Sequence, residues 1–439
     1  MKLALGVRIP EDHADNMLRM VLLHDSDGKV LAIMPARSLL NLTVVWKQTH
    51  RQLQPVRHED VCRFFSQEAL QRPSGQKKLL SLPLLVDPQC LRYDSSTLIE
   101  LCSGLSFPAV RADFAGAVPC QLSVTTDEIE AEQPRGDDEV VISKAVERFT
   151  ALRIKQRLED TLDLPSLSPT VQQIIMLRSD PDAGVADLVP VVKVDPSLSA
   201  QVMSWSASPY YAAPGDVSSI DDAVIRVLGF DLVVNMALGT GMGKVLRVPK
   251  DGPRGGTPFW LQSVYSACLA EKLCRQITTD IRPVPGMAYL AGLLHNFGYL
   301  VLAHLFAPQF SLLVRYIEAN PHFPLNQVEQ QVLNVTREQI GGWLLSSWAL
   351  PESVCTAIRH QNQPGYTGEH SVMAMILYLT NRLLRQEGLS DGPLEAPEPA
   401  VYEALGLTPE IAQVALDKLL IEDEAIRSLS TMLEQAPAA

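Results

Sequence analysis

The side chains best able to do chemistry in this chain lie in one short run, Leu290 to Leu300, LAGLLHNFGYL. There His295 and Asn296 close an apolar stretch, and Gly298 follows Phe297. A histidine beside a carboxylate is half of a divalent-cation site: imidazole and anionic oxygen offset the metal's charge, and the metal supplies hydroxide for attack on phosphate. Here the neighbour is a neutral amide. An imidazole and an amide suit a buried cluster in which each polar group finds a hydrogen-bond partner. Lys77 and Lys78, adjacent in sequence, carry charge that can meet phosphates and equally suit a solvated loop. The seven cysteines (Cys62, Cys90, Cys102, Cys120, Cys268, Cys274 and Cys355) are odd in number and form no C-x-x-C pair. They read as buried thiols of a reduced, cytoplasmic protein.

These residues need a scaffold of more than one core, because 439 residues exceed the usual size of a single domain. The net charge of -13 is uneven. Residues 1–120 hold 14 Lys+Arg against 12 Asp+Glu, and the rest holds 23 against 38. Any contact with nucleic acid therefore falls to the first part, and the acidic remainder repels it. MVLLH, DSDGK and VLAIM, from Met20 onward, spell a hairpin around a turn of Asp-Gly type. Leu80–Asp87 and Leu98–Gly104 read as further strands, and Leu53–Leu70 as a loop and an amphipathic helix. The first 120 residues are thus mixed α and β.

Gln121 to Val140 holds seven acids and one base with no apolar period, which reads as a solvated linker. Beyond it the chain reads as short helices broken at Pro and Gly, with Ser218 as an N-cap and Gly229 as a stop. Short connections imply a compact helical bundle. Gly286 to Phe306 approaches the length of a membrane span, but His295, Asn296 and His304 interrupt it, so a buried central helix fits better.

Several separated segments from about residue 145 to 385 resemble the HDOD branch of the HD superfamily, the HD-related output domains of bacterial signalling proteins. They are DLPSLSP, Asp195-Pro196, Trp205 to Ser208, the Leu228-Gly229 hinge, FWLQSVYSACLAEKL, GLLHNFGYL and TREQIGGWLLSSWALPESVCTAIRHQNQP, in that order. The resemblance implies an all-α domain. It also places the metal-ligand positions of an active HD site at Gln262, at His295-Asn296 and at Asn381, where both carboxylates are replaced by amides. Arg337 stands where relatives have a histidine, and the later His-His position reads His360-Gln361. A guanidinium there opposes a cation and favours an anion. The resemblance therefore implies a degenerate site without metal: a polar cluster, or an anion or nucleotide pocket lined by Arg337 and His360.

GKVLAIMPARSLLNL and the later LPLLVD resemble the YbaK/ProX-like aminoacyl-tRNA editing domain over about residues 10–118. In that family a lysine and the backbone amides of a Gly-x-x-x-Pro loop serve hydrolysis of mischarged tRNA. The resemblance puts the lysine's place on Arg19 and the loop at Ser74–Leu79, with Gly75 kept and Leu79 where proline is expected. GVRIP, Gly6 to Pro10, has the spacing but lies in the wrong part of the chain.

The expectation is a multidomain protein: an α+β YbaK/ProX-like domain (1–120), an acidic linker (121–143), an all-α HDOD domain (144–388) and a C-terminal spacer with helices (389–439). It is expected to act as a regulatory signalling protein through protein partners, with no cofactor, no membrane and no DNA. The alternatives are aminoacyl-tRNA deacylation around Arg19 and Gly75, with tRNA at the first domain, or sensing of a nucleotide or anion.

Overall fold

The computed structural model describes residues 16–131, 136–150, 166–211, 217–278 and 282–434. The Gly6–Pro10 segment and the start of DLPSLSP lie outside them. β1 (Met17–Asp25) and β2 (Gly28–Pro35) form the expected hairpin, with Asp25 paired to Gly28. Gly28 takes φ +124, which a residue without Cβ adopts freely. Around them β5 (Leu84–Val86), β6 (Ser95–Ile99), β7 (Ser106–Val110) and β8 (Val118–Pro119) build a mixed sheet in the order β7-β6-β1-β2-β5-β8, and β4 (Gln54–Pro55) also pairs with β1. β1 and β2 are antiparallel, whereas β1–β6, β2–β5 and β5–β8 are parallel. The strand expected at Leu98–Gly104 stops at Ile99. Glu100 takes the backbone amides of Cys102 and Ser103 and converts the remainder into a turn.

The acidic stretch after residue 120 is not a free linker. β9 (Ser123–Val124) pairs with β3 (Leu39–Leu40), and Leu122, Ser123 and Ile129 are buried. Asp87 holds the strand by accepting from both the backbone N–H and the hydroxyl of Ser123. Asp127, Glu128 and Glu130 face solvent while Leu122 and Ile129 pack, and Asp138 accepts from Arg359, so composition alone misreads the segment.

From Asp138 onward the described residues are helical, and one apolar core runs from Leu23, Leu39 and Leu40 of the sheet region into the helices. A second, smaller core lies on the other side of the sheet around Leu31, Ile33, Phe65 and Phe107. Helices Ile220–Val245 and Pro285–Leu305 are long and apolar enough to cross a membrane, but 61% and 89% of their most apolar windows are packed inside the protein. The expected N-cap at Ser218 falls one residue later, on Ser219, whose hydroxyl accepts from Asp222 N–H. The C-terminal part is integral to the bundle: helices Pro409–Ile421 and Asp423–Glu434 pack on Phe259–Gln276, and Lys272 pairs with Glu422.

Candidate functional site

Two glycines of GLLHNFG place the polar pair. A Cβ on Gly292 would lie 2.5 Å from Ser266 O and 2.7 Å from Ala267 Cα, so only glycine lets helix Pro285–Leu294 lie directly on helix Phe259–Gln276. A Cβ on Gly298 would lie 1.9 Å from Arg337 O, which brings the start of helix Arg337–Ser347 against that of Phe297–Leu305. The chain breaks helix at His295 and Asn296. These two residues therefore lie between the helix that carries Gln262 and the one that carries Arg337.

The hydrogen bonds around them fall into three separate sets. Arg337 Nη1 donates to Asn296 Oδ1 (2.8 Å). Its Nε and backbone N–H donate to the two oxygens of Glu329 (2.5 and 2.8 Å), and its guanidinium lies 5.0 Å from the centre of the Tyr299 ring. His295 Nδ1–H donates to Gly292 O (2.7 Å), and Gln361 Nε2 donates to His295 O (2.8 Å). Asn381 Nδ2 donates to Gln361 Oε1 (2.9 Å). Gln262 Nε2 donates to Thr257 O (3.1 Å) and to Asp391 Oδ2 (3.0 Å), a carboxylate from the segment after the last expected site residue. Gln262, His295, Asn296, Arg337 and Asn381 are all buried. Gln262, Asn296, Tyr299, Arg337, Thr257 and Asp391 line a cavity of about 250 Å³.

His360 departs from the expected set. It stacks on Tyr366 with ring centres 3.8 Å apart, shares a hydrogen bond with Gln363, and does not line the cavity. Burial pushes the Glu329 carboxyl up to about 7, with Arg337 pulling it down. Arg337, against its own burial, is raised by Glu329 and Glu338.

Buried histidines make acid a stress on this fold. Burial holds His295 down at about 4, opposed by its bond to Gly292 and reinforced by Arg337 and Arg385. His322 is held well below 6.5 by burial and then by Arg19. The folded chain keeps both neutral while the unfolded chain protonates them near 6.5, so their contribution is complete above that pH and shrinks as pH falls towards 4. At about 1.4 kcal/mol per unit, His295 alone accounts for about 3 kcal/mol across that window. Glu329, held at about 7 in the folded chain, gains stability as pH falls over the same range and offsets part of this loss, so the readout is a difference: from about pH 7 to pH 5 the urea midpoint of His295→Gln with His322→Gln is expected to fall less, or rise more, than that of the wild type. The same pH dependence in wild type and double variant contradicts the assignment.

In the sheet region the expected centre is rearranged. Arg19 is buried within β1, its Nη1 donating to Ala319 O (3.0 Å) and its Nη2 to Asn320 Oδ1 (2.6 Å) of the helical region. Burial lowers its guanidinium to about 9. Gly75 belongs to helix Pro73–Leu79, not to an open loop, and a Cβ there would lie 2.0 Å from Ala69 O. Lys77 and Lys78 are exposed. Among the described residues, three His, Cys, Asp or Glu donors converge on one point at His58, Cys62 and Cys102. Spacing along the chain gives no sign of this cluster, beyond the four-residue interval from His58 to Cys62.

An HDOD domain matches residues 164–364. A Marinobacter aquaeolei VT8 protein, named for signal transduction, is 39% identical to this chain. Its crystal structure superposes with a TM-score of 0.88 over 99% of this chain and 97% of that one. An HDOD domain protein of unknown function from Geobacter sulfurreducens, 20% identical, shares the fold with a TM-score of 0.50 over 69% of this chain and 100% of its own. An uncharacterized protein of Treponema pallidum (strain Nichols) is 26% identical over 260 residues, 58% of this chain and 49% of that protein. The chain thus spans about half the length of that curated relative. The helical region carries the HDOD match, and the likeness to the Marinobacter protein runs through the mixed-sheet region as well. Residues 164–364 of this chain are an HDOD domain.

Proposed function

We propose that this chain is a regulatory protein of bacterial signalling whose helical domain works through contacts with protein partners, without metal-dependent hydrolysis. The observation that carries the reading is the Arg337 guanidinium bonded to Asn296 Oδ1 at the position where the HD resemblance implies a metal. A fixed cation opposes another cation, and the surrounding amides carry no charge to offset one. Gln262 is likewise engaged by Asp391. A cavity of about 250 Å³ is below the roughly 300–1,000 Å³ of common small-molecule pockets, which gives the nucleotide-sensor alternative less support.

For the sheet domain we propose an editing-like ancestry and a coupling role. In place of the editing lysine stands Arg19, whose donors go to Ala319 and Asn320. That arrangement favours coupling over tRNA deacylation. The cysteines of the chain are free thiols, which suits the cytoplasm.

The experiment is metal analysis and phosphodiester hydrolysis on the full chain carrying Cys62→Ser and Cys102→Ser, so that thiol ligands do not contribute. The expected result is well under one equivalent of manganese, iron or zinc and no turnover of bis(p-nitrophenyl) phosphate. One equivalent of metal that disappears on His295→Ala overturns the reading.

A further inference from the structure

His58 and Cys62 are four residues apart in helix His58–Phe65, so one turn brings both to the same face. Cys102 comes from the turn between β6 and β7. That turn is fixed by its own bonds. Gly104 takes φ +71 and donates to Glu100 O (3.0 Å), while the Glu100 carboxylate accepts from Cys102 N–H (3.0 Å), Ser103 N–H (2.7 Å) and Ser103 Oγ–H (2.7 Å). Cys102 Sγ lies 3.2 Å from His58 Nδ1, and Cys62 Sγ lies 3.6 Å from His58 Nε2. One donor atom from each of the three residues falls within 4.8 Å of the others. All three residues are half-buried, so solvent reaches them.

We infer that His58, Cys62 and Cys102 form a binding site for a thiophilic divalent cation, with zinc as the ion that fits best. Two sulfurs and one imidazole are soft and borderline donors, which select zinc over magnesium or calcium. Two thiolates balance the ion's two charges and the imidazole stays neutral. Each thiol gives its proton to solvent as its sulfur bonds the metal, so two protons leave per ion bound. The two sulfurs sit beside opposite nitrogens of His58; with one nitrogen as ligand the three donors lie within 4.8 Å of one another, against edges of about 3.3–3.8 Å for a tetrahedron with metal–ligand bonds of about 2.0–2.3 Å, so side-chain rotations that shift a donor by about 1 Å complete it. Three protein ligands at a solvent-accessible place leave the fourth position to water, unlike the closed four-ligand sites that hold small folds together. Glu100 is the positioning residue of the site, since it fixes the turn that presents Cys102. The site starts three residues after Pro55, whose carbonyl accepts from Arg254 of the helical region (2.9 Å). An ion at His58 and Cys62 therefore acts beside the contact between the two domains.

The test titrates the reduced full chain with cobalt(II), and then with zinc against a chromophoric chelator. One equivalent of cobalt is expected, with a sulfur-to-metal charge-transfer band that zinc removes. Cys62→Ser and Cys102→Ser are each expected to weaken zinc binding by on the order of a hundredfold or more, with circular dichroism unchanged. Should a variant fail to fold, alkylation of Cys62 in the wild-type chain gives a second measurement, in which zinc is expected to slow the reaction at least tenfold. No charge-transfer band in reduced protein, or zinc affinity unaltered in both serine variants, overturns the inference. So does a chain that forms a Cys62–Cys102 disulfide in air and takes up no metal when reduced. Metal that persists without these cysteines and departs with His295 instead overturns the proposed function, so the two failures are distinguishable.

Discussion

Arg337→Met is expected to destabilise the helical domain by about 3–5 kcal/mol, the cost typical of removing one partner of a buried ion pair. Arg337 and Glu329 are both buried, and two donors of the arginine meet the two oxygens of the glutamate. Without the guanidinium, Glu329 keeps only the backbone N–H of residue 337, and the buried carboxyl must either stay charged without a counter-charge or protonate. Asn296 loses its donor as well. The double variant Glu329→Met, Arg337→Met removes both charges and is expected to recover most of the loss, since apolar replacement of a whole buried pair is often neutral. Urea unfolding of the wild type, both single variants and the double variant measures this directly. Single-variant losses below about 1 kcal/mol, or a double variant as unstable as the sum of the singles, contradict the account.

The same cycle separates a structural cluster from a remnant metal site. A remnant site has ligands that tolerate loss of Arg337, since a guanidinium opposes a cation; an arginine that holds the cluster together does not. The Arg337 bond to Asn296 predicts that Asn296→Asp alone creates an ion pair, not a metal ligand.

The helical scaffold was readable because its signals are local. Gly292 and Gly298 flank His295-Asn296 in one short run, and each marks a close approach of helices that the structure contains. The hairpin of β1 and β2 followed from its turn residues in the same way. What could not be read depends on contacts far apart in sequence. Asp391 reaches Gln262 across 129 residues, and a Pro-rich spacer gives no reason to expect a carboxylate there. Cys102 meets His58 across 44 residues, through a turn that was expected to be strand. The acidic linker misled for a related reason: its net charge describes the exposed face, while Leu122 and Ile129 decide where the segment lies. Arg19 is expected at a reactive site because the editing-domain resemblance puts the family's lysine there. Its partner lies 301 residues away.

That distance makes Asn320 the residue on which coupling between the domains turns. Its Oδ1 accepts from Arg19 Nη2 (2.6 Å) and from Leu40 N–H (2.7 Å), and its Nδ2 donates to Leu40 O (3.2 Å). One amide therefore serves β1 and β3 together. Tyr316, one turn earlier, extends the contact by donating to Asn41 Oδ1 (2.7 Å) at the cap of helix Leu42–Thr49. Asn320→Ala leaves four buried groups short of a partner, Tyr316 O among them, at about 1–3 kcal/mol each, so a loss of at least about 4 kcal/mol is expected. Arg19 keeps only Ala319 O, and a buried cation with one acceptor is costly. Asn320→Asp retains both acceptor roles and adds charge attraction to Arg19, but cannot donate to Leu40 O. It is expected to recover about half of the loss. Hydrogen exchange reports the coupling at its source: the Leu40 amide and the β3–β9 pair are expected to exchange at least tenfold faster in the alanine variant, while the Leu31 amide, held by Pro83 O within the sheet, stays protected. Equal acceleration at both places means that the sheet domain has simply unfolded. No acceleration at Leu40 means that the apolar core, not the Arg19–Asn320–Leu40 node, joins the two domains.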